Sequence, residues 1–336
     1  MKIACAVALA AAAAAIGCGG GSDATGGAKV EPAAPLEDVT MSLEGHASAE
    51  DVGVLMADKL GFFREEGLRV AVDDPLVPTR PMEYVPNGIV QFALSQQPEL
   101  VLSRAEQVPV VAVGSLLPEA TASFAWLEEA GIDDVADLEG KTIGISGLSY
   151  ERAFLEAILR QAGLKIGDVE VKRSGYRMVP ELLGGEVDAI FGGSSNVEGV
   201  RLADGGPEVV FTPVGDLGVP PYEEVAIVTR PELVATEPEL VRKFVSAVVR
   251  GARAAIEDPA AAAEAIHDQA VHDRAPAISQ EEAEAQLEAT LPLLSESGYM
   301  DPGQADRLGA WMQREGMIGN ERVARRALTN AFLPQP

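Results

Sequence analysis

The chain reads as an α/β protein whose sheet is rich in parallel strands and covered on both faces by helices. Three observations carry that class. Short apolar runs alternate with helical stretches of about 10–15 residues along most of the sequence. The 336 residues are ample for a large core and suggest two domains' worth of chain. Hydrophobic residues make up 47 %, which rules out wholesale disorder despite a formal net charge of −26.

The elements follow in order. Residues 39–43 alternate like a strand and run into Glu44-Gly45-His46, a loop. Ser48 is placed to cap a helix whose apolar residues Val52, Leu55, Met56 and Leu60 keep helical spacing, with Gly61 as its stop. Residues 68–72 are the next strand. Further strand-like runs fall at 90–94, 108–113, 142–145, 169–171, 188–191, 209–211 and 225–229. The clearest helices are 150–162, ended by Gly163, and 238–257. Beyond Pro238 the helical, Ala- and Glu-rich stretches 259–269, 280–294 and 303–315 have no strand after them, so they are expected to pack back on an existing sheet. Two strand-and-turn units, 88–97 and 185–196, have similar layouts, too faintly to make a repeat.

The N-terminus has its own logic. Behind Lys2, residues 3–16 are almost unbroken apolar sequence, about 14 residues where a membrane span needs about 20. That is the pattern of a secretory leader. Ala15-Ile16-Gly17-Cys18 then resembles a bacterial lipobox, with Ala15 where Leu is usual. Residues 1–17 are therefore expected to be a signal peptide and Cys18 the lipidated first residue of the mature chain, extracytoplasmic and anchored to the membrane. Cleavage there removes Cys5 and leaves a single thiol, so no intramolecular disulfide is expected. Residues 18–37, rich in Gly, Ser, Pro and Ala, read as a flexible tether.

Charge and motif exclude several function classes. With 52 acidic against 26 basic residues, nucleic acid and anionic membrane surfaces would be repelled. Glu139-Gly140-Lys141-Thr142 lacks the earlier glycine of a phosphate loop, since Val135 stands there. Gly192-Gly193-Ser194-Ser195-Asn196 misses the last glycine of a nucleophile elbow. His267 and His272 are five apart, off the helical face that two metal ligands need, and no metal or cofactor is expected.

What remains is a polar series after the strands. In an open α/β sheet, ligands bind beyond the carboxyl ends of the strands. The first half offers Glu44 and His46, then Arg80, then Ser95 and Gln96. The second offers Ser149 and Tyr150, then Tyr176, then Ser194, Asn196 and Glu198, with Tyr222 near the return. Together they describe a ligand cleft between two lobes. Asn196 and Glu198 are expected to grip polar edges of the ligand, and Tyr150, Tyr176 or Tyr222 to stack on it. Arg80 is the one basic candidate near the cleft, with Arg152 and Arg177 outside it.

Residues 54–68 (VLMADKLGFFREEGL), 137–145 (DLEGKTIGI) and 186–189 (EVDA) resemble the opening helix, the entry to the second lobe and a later strand of ABC-importer solute receptors of the nitrate/sulfonate/thiamine-pyrimidine-precursor class. Residues 192–199 (GGSSNVEG) and 218–225 (GVPPYEEV) look like the branch associated with thiamine pyrimidine precursors. The resemblance runs from about residue 39 to 333. It implies a type II periplasmic-binding-protein fold: two α/β lobes joined by a two-strand hinge, with 38–124 and 223–336 as lobe I, 125–222 as lobe II, and crossovers near 123–126 and 220–224. It also implies a monomeric receptor that closes on a small nitrogen-heterocycle nutrient and delivers it to an ABC permease and its ATPase. Sulfonate, nitrate or taurine as ligand, and a sensor or scaffold with no ligand, are the alternatives. Ser195 stands where relatives often carry an aromatic before Asn-x-Glu. The related eukaryotic pyrimidine synthase carries a cysteine-rich motif; this chain has no cysteine after residue 18, so the expectation is a protein that catalyses nothing.

Overall fold

The computed structural model describes residues 35–73, 81–203, 206–272 and 278–334. The expected signal peptide, the lipidation site Cys18, all of the tether before Pro35, and Arg80 lie outside the described residues.

Ten strands are described: β1 (Glu37–Ser42), β2 (Leu68–Asp73), β3 (Phe92–Ser95), β4 (Val111–Leu117), β5 (Ala122–Leu127), β6 (Thr142–Ile145), β7 (Glu170–Arg173), β8 (Ala189–Ser194), β9 (Val209–Pro213) and β10 (Val225–Thr229). The helices of the first part are α1 (Val52–Lys59), α2 (Phe62–Glu65), α3 (Pro81–Tyr84), α4 (Gln97–Ala105), α5 (Ser149–Gln161), α6 (Met178–Leu183) and α7 (Glu198–Ala203). After β10 come α8 (Pro231–Thr236), α9 (Pro238–Glu257), α10 (Pro259–His272), α11 (Gln280–Thr290), α12 (Pro302–Arg314) and α13 (Arg322–Arg326).

The strands form two five-stranded sheets, ordered β2-β1-β3-β10-β4 and β7-β6-β8-β5-β9. In the first, β1 runs parallel to β2 and β3, while β10 lies antiparallel between β3 and β4. The second repeats the plan: β6 is parallel to β7 and β8, and β5 lies antiparallel between β8 and β9. Both sheets are therefore mixed, each with three neighbouring parallel strands, in keeping with the parallel-rich sheet that the alternating pattern suggests. The two similar units noted in the sequence end in β3 and β8, which hold corresponding places.

Strand β5 escapes the sequence pattern. Residues 122–126 are all buried, so the apolar/polar alternation that marks a half-buried strand is missing. The connection between the sheets consequently falls at 118–121, ahead of the expected 123–126, and the return runs over 214–224.

Each sheet has its own core. In the first, the rings of Phe92 and Phe244 stack at 3.9 Å and Phe63 continues the stack at 5.3 Å. Helix α9 supplies Phe244 and nine other buried residues, the amphipathic pattern that its spacing predicts. It lies so close to α1 that a Cβ on Gly251 would strike the backbone of Gly53. In the second core, Phe124, Phe154, Phe191 and the indoles of Trp126 and Trp311 cluster. Trp311 comes from α12 and meets Phe154 edge-on at 4.7 Å, so one of the C-terminal helices packs on the second sheet, as a helical tail with no strand of its own must. Among the described residues, no helix is long and apolar enough to cross a membrane.

Candidate functional site

The carboxyl ends of two parallel strands from one sheet and three from the other deliver the walls of a cavity of about 440 Å³. Beyond β1 the chain supplies Glu44, Gly45 and His46, and the turn entering α1 adds Glu50 and Asp51. Beyond β3 it supplies Gln96. Beyond β6 come Ser146 and Leu148; beyond β7, residues 175–180; β8 ends in Ser194, and beyond it come Val197 and Glu198. Helix α11 adds Glu282 from far along the chain.

Six of the expected site residues meet here: Glu44, His46, Gln96, Tyr176, Ser194 and Glu198. Five others do not line the cavity. Ser95 is buried in β3. Ser149 gives both its backbone N–H and its hydroxyl to the Glu99 carboxylate, at 3.0 and 2.7 Å, tying α5 to α4. Tyr150 and Tyr222 are fully buried and pack edge-on against Phe154, at 5.1 and 6.1 Å, so they belong to the second core. Asn196, also buried, donates through Nδ2 to Thr290 Oγ1 at 2.8 Å. Ser195 is exposed, and its N–H donates to the Thr121 carbonyl at 3.0 Å. Arg177, expected outside, lines the cavity, and Arg201 joins it.

Contacts cross the cavity between the two sets of strand tips. The rings of His46 and Tyr176 lie 4.0 Å apart at 35°. The Arg201 Nε donates to Glu282 at 2.6 Å. Tyr176 also sits over Gly45, where an added Cβ would come to 3.2 Å from its ring. A larger residue at 45 would push that ring away.

The electrostatics are acidic. Burial, reinforced by the charges of Glu224 and Glu50, pushes the Glu44 carboxyl well above the usual range. Glu50 is pushed up to about 8, again chiefly by burial, with Glu224 and Glu198 adding repulsion. Oxygen Oε1 of Glu44 and Oε1 of Gln96 are buried with no hydrogen-bond partner. Behind the wall, Glu151 accepts from Ser146 N–H and Oγ, Gly147 N–H and Leu148 N–H at 2.6–3.2 Å. Burial still lifts it to about 7. Gly192 leaves the space that this carboxylate fills, since a Cβ there would collide with Glu151 Oε1. Among the described residues, no three His, Cys, Asp or Glu side chains are grouped to hold a metal ion.

Two mixed sheets with facing strand tips and a cavity between them define a protein of the periplasmic-binding-protein fold, and comparison with known proteins agrees. The alkanesulfonate-binding protein SsuA of Xanthomonas axonopodis, bound to MOPS, superposes with a TM-score of 0.68 over 88 % of this chain and 99 % of its own, at 13 % identity. The chain belongs to the NMT1/THI5-like family, whose pattern matches residues 48–262.

The formylaminopyrimidine-binding protein of Halalkalibacterium halodurans is 31 % identical over 225 residues, 67 % of this chain and 68 % of the relative. A Legionella pneumophila relative, 26 % identical over 88 % of this chain and 92 % of its own, is named 4-amino-5-hydroxymethyl-2-methylpyrimidine phosphate synthase. Further relatives carry the same name. This corrects the expectation that the chain catalyses nothing: relatives covering most of it are named as a synthase. The missing cysteines do not separate the chain from its enzyme relatives, because one fold carries both binding proteins and enzymes and the site alone distinguishes them.

Proposed function

We propose that this chain is an extracytoplasmic receptor for a small nitrogen heterocycle, a thiamine pyrimidine precursor or a related compound, serving an ABC importer. The cavity carries this reading: it has the volume of a small-molecule site, and both sheets furnish its walls. Family membership and the formylaminopyrimidine-binding relative support the ligand class. The fold neighbours support the import role. Each sheet with its helices makes one lobe, 38–124 with 223–336 and 125–222. The refinements are that β5 begins at Ala122 and that α12 packs on the second core. The lobes hinge at the two connections between sheets, and ligand favours the closed arrangement that His46–Tyr176 and Arg201–Glu282 hold across the cavity. Lipidation at Cys18 anchors the receptor beside its permease, where it acts as a monomer.

A sulfonate fits this cavity poorly. Such an anion needs converging guanidinium groups or helix N-termini. Of the two arginines on the wall, Arg201 is already bonded to Glu282, and Arg177 bonds Glu181 at 3.3 Å. Within the heterocycle reading, Glu198 takes a ligand N–H from the second lobe while its Oε2 accepts from Ser194 N–H at 2.9 Å. Calorimetry decides the matter: 4-amino-5-hydroxymethyl-2-methylpyrimidine binds and taurine does not. Glu198→Ala weakens heterocycle binding by about 1.5–3 kcal/mol. Binding of taurine without binding of the pyrimidine would refute the reading.

A further inference from the structure

We infer that the cleft selects an organic cation: its ligand carries a positive charge and at least two N–H donors, and no anionic group. The inference rests on the reading of this cavity as the ligand site and specifies the charge of what enters it.

Five carboxylates line the cavity, from three directions. Glu44, Glu50 and Asp51 come from the first sheet's tips, Glu198 from the second's, and Glu282 from α11. Two guanidinium groups share the wall. Arg201 lies between Glu282, at 2.6 Å, and Glu198, at 4.0 Å. Arg177 is largely exposed and turns to Glu181 and Glu186, which are not on the wall. Arg201 therefore answers the carboxylates of one side. Those of the other, Glu44 and Glu50, are raised first by burial, and then by the like charge of Glu224 on both and of Glu50 on Glu44. A positive charge placed among them relieves that repulsion; a second anion adds to it.

The unmet hydrogen bonds agree. Gln96 is 8 % exposed, lines the cavity, and its Oε1 has no donor. Glu44 Oε1 is likewise buried and unmet. Both are acceptors, so the missing partner is a donor-bearing group, and leaving such atoms unpaired is costly. A metal ion is a poor candidate, because no three ligating side chains converge among the described residues. The His46 and Tyr176 rings, which meet across the cavity and both line it, offer aromatic surface, which suits an organic ammonium or amidinium group.

The test is a charge series on one ring, titrated calorimetrically into the purified protein. Its members are 4-amino-2-methylpyrimidine bearing 5-aminomethyl (cationic), 5-hydroxymethyl (neutral) or 5-phosphooxymethyl (anionic). The aminomethyl compound is expected to bind about tenfold or more tighter than the alcohol, with no saturable binding of the phosphate ester. Glu44→Gln is expected to reduce that preference to about threefold or less. If the alcohol or the ester binds as tightly as the amine, the inference is overturned, and this wild-type series stands even if the variant does not fold. Benzylamine and benzyl alcohol separate the two readings. A cation preference that persists on benzene, at undiminished affinity, upholds the inference and removes the pyrimidine. Binding of the pyrimidine ring whatever its charge does the reverse, and no binding by any member overturns both.

Discussion

The tips of β1 and β6 occupy corresponding places in the two sheets, and each has beside it a glutamate whose carboxyl is raised by burial, yet the two glutamates differ in what surrounds them. Glu151 closes on its own turn. Four donors from Ser146, Gly147 and Leu148 converge on it, all within five residues. Glu44 has an unpartnered oxygen and like charges around it. Both carboxyls are raised by burial. Burial alone therefore does not mark a binding group. The informative difference is that the protein itself satisfies one carboxylate and leaves the other for something else.

The sharpest way to break the comparison is to remove each group in turn. Glu151→Ala strands three backbone N–H groups and empties the space beside Gly192, and is expected to cost about 3–5 kcal/mol of stability. Glu44→Gln keeps the volume and removes a source of repulsion, so stability should hold or rise while ligand affinity falls. Urea unfolding of both variants checks this. A loss at Glu44→Gln as large as at Glu151→Ala would show that the two carboxylates play the same structural role.

The pH dependence of stability is the next largest effect. A carboxyl raised in the folded state binds its proton more tightly there than in the unfolded chain. Folding is then favoured by protonation, and the advantage is lost as pH rises through the folded-state value. Glu151 and Glu223, both near 7, and Glu50, near 8, all act in this sense. The ligand-free protein should therefore be most stable near pH 5 and weaken toward pH 9. Glu151 alone would contribute on the order of 3 kcal/mol, since each pH unit between its two values is worth about 1.4 kcal/mol. The net charge of −26 at pH 7 pushes the same way, because acidification reduces self-repulsion. Melting temperatures across that range measure it. Ligand in excess should flatten the curve if a cation enters between Glu44 and Glu50. Stability that increases from pH 5 to 9 without ligand would show that these carboxyls are not held protonated.

How far the sequence revealed this arrangement follows from the range of the signals. Glu44, His46, Gln96, Ser194 and Glu198 were legible because each follows an apolar run within a few residues, and strand tips are where such folds bind. Tyr150 and Tyr222 misled because a tyrosine near a turn has the composition of a stacking residue and equally of a core one; only the tertiary contacts with Phe154 decide. Glu50 and Asp51 were hidden in the first turn of a helix, where acidic residues are expected for local reasons. Glu282 had no local signal, since α11 reaches the cavity only through the packing of the C-terminal helices. In the fold, β5 was lost for the related reason that a fully buried strand shows no alternation. Residues 122–127 carry one polar side chain, Ser123, which is itself buried and donates to the Gly193 carbonyl at 2.9 Å, so no polar face marks the strand.

The smallest effect concerns the contacts across the cavity, and it tests whether the comparison extends from single groups to whole lobes. The Arg201–Glu282 pair is half-buried and joins α7 to α11. Removing it with Arg201→Ala should cost closure about 1 kcal/mol, seen as roughly fivefold weaker binding with the core intact. Because the guanidinium also neutralises Glu282 and stands near Glu198, the substitution makes the cleft more acidic. A cationic ligand would recover part of the loss through added attraction, and an anionic one would lose more. A variant that binds the aminomethyl pyrimidine less than fivefold weaker, while solution scattering of the ligand-free form shows a larger radius, would separate the two contributions. Unchanged scattering with unchanged affinity would mean that the pair rests on the surface without holding the lobes.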